Sequence, residues 1–234
     1  MDLAVARRRD AARRHHGGAS LKAETQLAFH RSGEFRALDR GHRFATFQLD
    51  LKDTASFPGR LARITQELGE IDILVNNSGG PPPSQASGVA EATWRAQFDE
   101  MVLSVIALTD QIIPSMKKKK WGRIITSTSS GVIAPIPNLG ISNTLRLALL
   151  GWSKTLAREL GPFGITSNIV LPGRIATQRI RALDEAKAQR EGRPVDEVID
   201  ESVQSIPVKR YGRPDEYGAM VAFLAGESSA YTTG

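Results

Sequence analysis

Residues 122–161 read GRIITSTSSGVIAPIPNLGISNTLRLALLGWSKTLARELG. An apolar β-rich run, a serine cluster, a Pro/Gly loop and a long amphipathic helix follow one another here. Ile124 to Thr126 suit a strand buried on both faces, and the chain leaves that strand at Ser127 to Ser130. Hydroxyls placed there sit at the carboxyl end of a sheet, where open α/β sheets bind ligands. After the loop, Leu145, Leu149, Trp152, Leu156 and Leu160 recur at helical spacing. Ser142 and Arg146 lie four apart and share a face of the same helix.

Outward from this stretch the same alternation continues. Phe44, Phe47 and Leu49 predict a strand ending at Asp50, and Leu61, Ile64 and Leu68 the inward stripe of the next helix. Ile71 to Val75 is a short apolar strand closed by Asn76, Asn77, Ser78 and Gly79, residue types that permit a tight turn and close backbone approach. A helix is expected from Thr93 to about Met116. Its stripe is Val102, Val105, Ile106, Thr109, Ile112, Ile113 and Met116, with Leu103 and Leu108 outside. Ile165 to Val170 forms a further strand, Gln178 to Pro207 a charged helix-prone segment, and Pro214 to Ala225 a helix with Val221 and Leu224 inward.

Three segments carry a resemblance to the short-chain dehydrogenase/reductase family: IDILVNNSGG at 71–80, GITSNIVLPGRIAT at 164–177 and GRPDEYGAMVAFLAGESSAYTTG at 212–234. The match covers about Arg43 to Gly234, in order. It implies an α/β fold, a Rossmann-like doubly wound parallel sheet in a single domain, incomplete at both ends. Residues 1–40 form an atypical basic head, with one very short strand at Leu3 to Ala6 and without the family's glycine-rich diphosphate turn; the family domain is 41–234. Without a replacement for the family's central first strand, the sheet would carry unpaired backbone at its middle, and a repaired edge is expected.

The resemblance also implies site residues. The family reduces carbonyls with Ser, Tyr, a Lys four residues after the Tyr, and an Asn. Ser129 takes the place of the serine, Ser142 of the tyrosine, Arg146 of the lysine and Met101 of the asparagine, so one of the four identities is kept. The Ser-Asn-x-x-Arg pattern resembles a divergent branch of the family. An alkyl hydroxyl is a far weaker acid than a phenol, and arginine keeps the lysine's charge without relaying a proton as readily. Asn143 is a conceivable extra donor. The cofactor, NAD or NADP, is expected to meet Asp50, Leu51, Asn76, Asn77, Ser78, Gly79, Pro172, Gly173 and Ile175. Structural readings stand beside these: Asp50 capping a turn, Ser129 capping the strand exit, Ser142 in a helix N-terminal turn, and Arg146 paired with an acid on a neighbouring helix.

The expected activity is hydride transfer between NAD(P) and a carbonyl or alcohol substrate, of the 3-oxoacyl carrier-protein reductase type. The alternative is a non-catalytic scaffold acting through its dimer helices, since the helices ending at Met116 and Leu160 are the ones the family pairs in its homodimers and homotetramers.

Composition narrows the field. The 234 residues, 41% hydrophobic, suffice for one core. The chain has no cysteine, which removes disulfides, thiolate metal sites and a cysteine nucleophile, and fits a cytoplasmic setting. No apolar run is long enough to span a membrane, and no metal site is expected. Net charge is +6. Nine Lys/Arg against five Asp/Glu in residues 1–40 supply four of those charges, so a nucleic-acid partner is not expected of the body. Lys117 to Lys120 read as a solvated helix end. Binding of polyanions by the head alone predicts steeply salt-dependent association that disappears when residues 1–40 are deleted.

Overall fold

The computed structural model describes residues 4–6 and 47–234. Strands β1 (Ala4–Ala6), β2 (Ile73–Asn76), β3 (Gly122–Ser127) and β4 (Ile165–Val170) form one sheet in the order β1-β2-β3-β4. β2, β3 and β4 are parallel, with Val75 opposite Ile125 and Ile125 opposite Asn168. Parallel neighbours require long crossovers, and helices supply them. The chain passes from β2 to β3 through α2 (Glu91–Phe98) and α3 (Ser104–Lys119), and from β3 to β4 through α4 (Gly140–Leu160).

Strand residues alternate between two cores. Leu74, Ile124 and Ile165 face α1 (Phe57–Leu68), α3 and α4, packing with Phe57, Ile64, Leu108, Ile112 and Leu156. Ile73, Val75, Ile125 and Val170 face the other way, against Val221, Leu224 and Ala225 of α7 (Pro214–Ala225). Helices therefore cover both faces, which is why nearly every residue of β2, β3 and β4 is buried, the polar ones included. The sheet is Rossmann-like and doubly wound as expected.

Two expectations are corrected, and a third falls partly outside the described residues. β1 lies beside β2 but runs antiparallel to it, Ala4 opposite Val75 and Ala6 opposite Ile73, so the sheet is mixed at this edge. Three residues thus satisfy backbone groups of β2 without a crossover. The strand expected to end at Asp50 lies partly outside the described residues, together with His42 and most of the basic head; its described end, 47–50, carries no ladder. No described strand lies beside it to pair with. Leu108, placed off the stripe, is buried in the core. Leu108 stands three residues after Val105 and four before Ile112 in regular α3, on the edge of the same face, so the buried face is broader than the stripe; a π turn at Asp99–Leu103 joins α2 to α3.

The lysine run is also more engaged than a solvated end. Lys119 pairs with Glu70 and the buried Asp72, Lys117 lies over the Phe163 ring, and Lys120 ends α3 in the left-handed conformation. Two further helices, α5 (Gln178–Glu191) and α6 (Val195–Gln204), form the charged segment before α7. No helix among the described residues is long and apolar enough to cross a membrane.

Candidate active site

β2 and β3 end side by side, and the turns that leave them meet at the carboxyl edge of the sheet. Asn76 is held inside: its Nδ2 donates to Thr109 Oγ1 on α3 at 3.2 Å and to Thr126 Oγ1 on β3 at 3.4 Å. The turn after it is thereby anchored to both neighbours. The Pro81 to Ser87 loop is strapped to the start of α4, with Ser84 N donating to Asn138 O and Gly140 N to Ser84 O. A Cβ on Gly140 would stand 2.5 Å from the backbone nitrogen of Ala86, so only glycine allows this approach.

Arg146 joins the pieces. It is 8% exposed, and its guanidinium spends its donors on backbone carbonyls: Nη1 to Ser127 O at 3.3 Å, Nη2 to Ser78 O at 3.1 Å and to Gly79 O at 3.0 Å. Nε donates to Ser142 Oγ at 3.3 Å, as the four-residue spacing on one helix face requires. No carboxylate partner is described for it, so the expected alternative of an acid on a neighbouring helix is replaced by three carbonyls. Burial, and next the positive charge of Arg179, lower its pKa to about 10, with Tyr217 acting in the opposite direction.

Ser127 closes β3 on the other face. Its hydroxyl lies 2.7 Å from the phenol oxygen of Tyr217 on α7. Burial raises the Tyr217 pKa, opposed by the Ser127 hydrogen bond and by Arg146. A phenol whose folded pKa exceeds its unfolded value near 10 adds stability that is complete below pH 10 and lost as pH rises through the folded value. Ultraviolet titration is expected to show a late-ionising phenol that is absent in Tyr217→Phe; an unchanged titration in that variant would refute the assignment.

The remaining wall comes from the charged segment. Arg174 Nη1 meets Asp184 Oδ1 at 2.7 Å, and Tyr211 Oη donates to Asp184 Oδ2 at 2.8 Å, with Asp184 only 1% exposed. Ile175 bridges Gly212, whose N–H reaches Arg174 O at 2.9 Å. Arg179, in the first turn of α5, donates to Pro81 O at 2.9 Å. Helix α5 is thus fastened through Asp184, near its middle, to the turn after β4 and through Arg179, in its first turn, to the loop after β2.

The expected site residues divide accordingly. Ser78, Gly79, Ser142 and Arg146 are brought together, and Asn76 and Asn77 adjoin them in the chain. Ser129 N-caps a short 3-10 turn, accepting from Gly131 N at 3.1 Å, which is the capping reading. Pro172 is adjacent, its carbonyl accepting from Ser130 N at 3.3 Å. Gly173 has open space where a side chain would stand, and Ile175 is half-buried. Asp50 accepts from Lys52 N at 3.0 Å, the turn-capping reading, while the Leu51 side chain is in the core, leaving its backbone for any ligand. Met101 is buried among Val102, Ile141 and Leu145. Asn143 is not a spare donor, because its amide holds the backbone of Ile136 at 2.9 and 3.4 Å. Among the described residues no group of three or more His, Cys, Asp or Glu could hold a metal ion.

The parts played by Ser127, Tyr217, Arg179, Arg174, Asp184 and Tyr211 are not evident from sequence. Tyr217 stands among apolar residues of α7 and reads as core. Most of the others sit in a segment without periodicity.

The turn fits a nucleotide in two respects. Among the described residues the buried hydroxyls of Ser78 and Thr128 have no hydrogen-bond partner, and nothing lies within 4 Å of where a Cβ on Gly79 would be. Polar atoms without partners beside an approachable backbone are what a ribose or amide ligand would complete.

Known proteins resemble this chain in sequence and fold. The model of a family described as enoyl-(acyl carrier protein) reductase matches residues 11–234, which includes most of the segment set apart as a basic head. The chain is 37% identical over 188 residues to the 3-oxoacyl-[acyl-carrier-protein] reductase FabG of Escherichia coli, covering 80% of this chain and 72% of that protein. It is 32% identical over 196 residues to an acetoacetyl-CoA reductase of Cupriavidus necator, covering 83% and 74%. Among solved structures, YwfH, described as an NADPH-dependent reductase involved in bacilysin biosynthesis, superposes with a TM-score of 0.74 at 28% identity, covering 79% of this chain and 71% of that one.

Proposed function

The chain belongs to the short-chain dehydrogenase/reductase family, and on that footing we propose that it transfers a hydride between NAD or NADP and a carbonyl or alcohol substrate, of the 3-oxoacyl thioester type. The observation that carries this reading is Arg146, whose one buried guanidinium ties the turn after β2, the end of β3 and Ser142 into a single cationic site at the carboxyl end of a parallel sheet. Such an edge is where α/β sheets present ligands.

Asn77, Ser78, Gly79, Pro172, Gly173 and Ile175 would hold the nicotinamide half of the dinucleotide, and Asp50 with the backbone of Leu51 its adenine end. The bound dinucleotide supplies or accepts the hydride. The chain's own residues must hold the substrate oxygen and its charge. Ser142 Oγ accepts from Arg146 Nε, leaving its own proton to donate onto that oxygen. The guanidinium stabilises the negative charge developing there, in a site where burial reduces screening. Ser129 offers a second hydroxyl, and the proton that completes the alcohol passes through Ser142 and is replaced from water.

Ser129→Ala is expected to lower kcat roughly 10- to 100-fold, in the range found when one polarising donor is removed, while dinucleotide Kd stays within about twofold. Following dinucleotide oxidation with acetoacetyl-CoA as substrate, beside calorimetric Kd, checks it. An unchanged kcat would remove Ser129 from the mechanism.

Association through α3 and α4 is part of the same reading. Leu103, which caps α3, is 45% exposed and Leu147, on α4, 51%, and these are the helices that pair in family dimers. A homodimer or homotetramer buries these side chains. The lack of cysteine accords with a cytoplasmic protein.

A further inference from the structure

One side chain of α4 is committed to the loop between β3 and α4, and the proposed mechanism does not use it. Asn143 follows Ser142 directly and projects about 100° away from it around the helix. Its amide grips both backbone groups of Ile136: Nδ2 donates to Ile136 O at 2.9 Å, and Oδ1 accepts from Ile136 N at 3.4 Å. The same Oδ1 fills the space beside Gly131, where any Cβ would overlap it. Asn143 therefore braces the loop at two points.

The other described backbone bonds within this loop are local. Val132 N donates to Ser129 O, Ile133 N and Ala134 N to Ser130 O, and Leu139 N to Ile136 O. Ile133 is 74% exposed, so burial adds little at that point. Among the described residues, the Asn143 amide makes the hydrogen bonds that tie Ile136 to α4. Ser129 stands at the near end of the loop, and its Oγ accepts from Gly131 N at 3.1 Å. The position of Gly131 thus decides where that hydroxyl points. With one lone pair taken by the Gly131 N–H, the Ser129 proton remains to be donated away from the loop.

We propose that Asn143 is the positioning residue of Ser129: by bracing Gly131 and Ile136 from α4, it fixes the Gly131 N–H that aims the Ser129 hydroxyl at the substrate oxygen. The assignment rests on the hydride-transfer reading, in which Ser129 is the second hydroxyl at that oxygen. Asn143 acts on the reaction through Ser129 alone. A polarising donor that drifts from its aim costs rate before it costs affinity.

With acetoacetyl-CoA as substrate, Asn143→Ala is expected to lower kcat about 10-fold, with KM and the dinucleotide Kd within about twofold. Gly131→Ala, whose methyl would push the amide off Ile136, should cause a similar loss, and adding it to Asn143→Ala should cost nothing further. The decisive arm places Asn143→Ala in the Ser129→Ala background, where kcat should fall no further than in Ser129→Ala alone. A merely structural role would lower kcat by the same factor in both backgrounds. That additive loss, or an unchanged kcat in Asn143→Ala itself, would overturn the proposal.

Amide hydrogen exchange reads the brace without any reaction. Asn143→Ala, checked for a cooperative melt, is expected to exchange more than about 10-fold faster over residues 131–136, while β3 keeps its wild-type rates. Gly131→Ala gives the same two readouts from the other side of the contact. Unchanged exchange over 131–136 in both variants would overturn the proposal. A wild-type chain that turns over no carbonyl substrate, but whose loop loosens in the variants, would leave the brace standing and remove the hydride-transfer reading.

Discussion

Arg146→Ala is expected to lose dinucleotide binding by more than a hundredfold and to lower the melting temperature by roughly 6–12 °C. Two terms oppose each other at this residue. Burial, and next the charge of Arg179, lower its pKa to about 10, which corresponds to about 3 kcal/mol of cost for keeping the guanidinium charged inside the fold. Its four described hydrogen bonds return about 1.5–3 kcal/mol each, since the donor is charged. The bonds win. Alanine removes them, relieves the desolvation, and leaves three carbonyls short of a donor, for a net loss of about 3 kcal/mol. In a chain of this size each kcal/mol moves the midpoint by about 2–4 °C. Arg146→Lys should recover part of the affinity but not the stability, because one ammonium cannot span Ser78, Gly79 and Ser127 in a planar fork. A melting curve for Arg146→Ala within about 1 kcal/mol of wild type would show that the guanidinium does not organise the turn.

The second large effect is expected at Asp184. This carboxylate is buried between Arg174 and Tyr211 and fastens α5 to the turn after β4. Asp184→Ala leaves a cation and a phenol facing a void. Breaking a buried pair costs several kcal/mol, but Arg174 is 34% exposed and can turn to water, so about 2 kcal/mol is the expected loss. Function should suffer more than stability. With α5 released, Arg179 no longer holds Pro81, and turnover is expected to fall more than tenfold while limited proteolysis shifts to residues 174–212. Asp184→Asn keeps an acceptor for Tyr211 and should fall between. Full turnover and an unchanged cleavage pattern in Asp184→Ala would mean that the latch has no part in the site.

Much of this architecture is legible in the residue pattern. The apolar residues of β2 and β3, the α4 stripe and the bounds of β4 and α7 follow from the residue pattern. The meeting of Ser142 with Arg146 follows from their spacing alone. The partners of Arg146 are not legible, because backbone carbonyls carry no mark in a sequence and an acid partner is the simpler expectation. Leu108 is misplaced because the stripe is drawn too narrowly: it stands three residues from Val105 and four from Ile112, on the edge of the same buried face. Tyr217 is hidden by its surroundings, since an inward aromatic on an apolar helix reads as core until its hydroxyl is seen beside Ser127. The latch of Arg174, Asp184 and Tyr211 joins residues 10 and 27 apart within a segment whose charges, read in order, resemble a solvated surface. The expected roles of Asp50 and Leu51 depend on the resemblance alone, and the structure adds a capped turn and a core side chain at those positions.

The most direct test of the account is a calorimetric titration of the full chain with NADPH and NADH, repeated on Arg146→Ala, with melting curves taken at saturation. Saturable binding of at least one dinucleotide is predicted, with about 2.7 kcal/mol of added stability at 100 times its Kd and neither effect in the variant. A cooperatively melting chain that takes up neither dinucleotide would contradict the account and favour a scaffold that acts through α3 and α4.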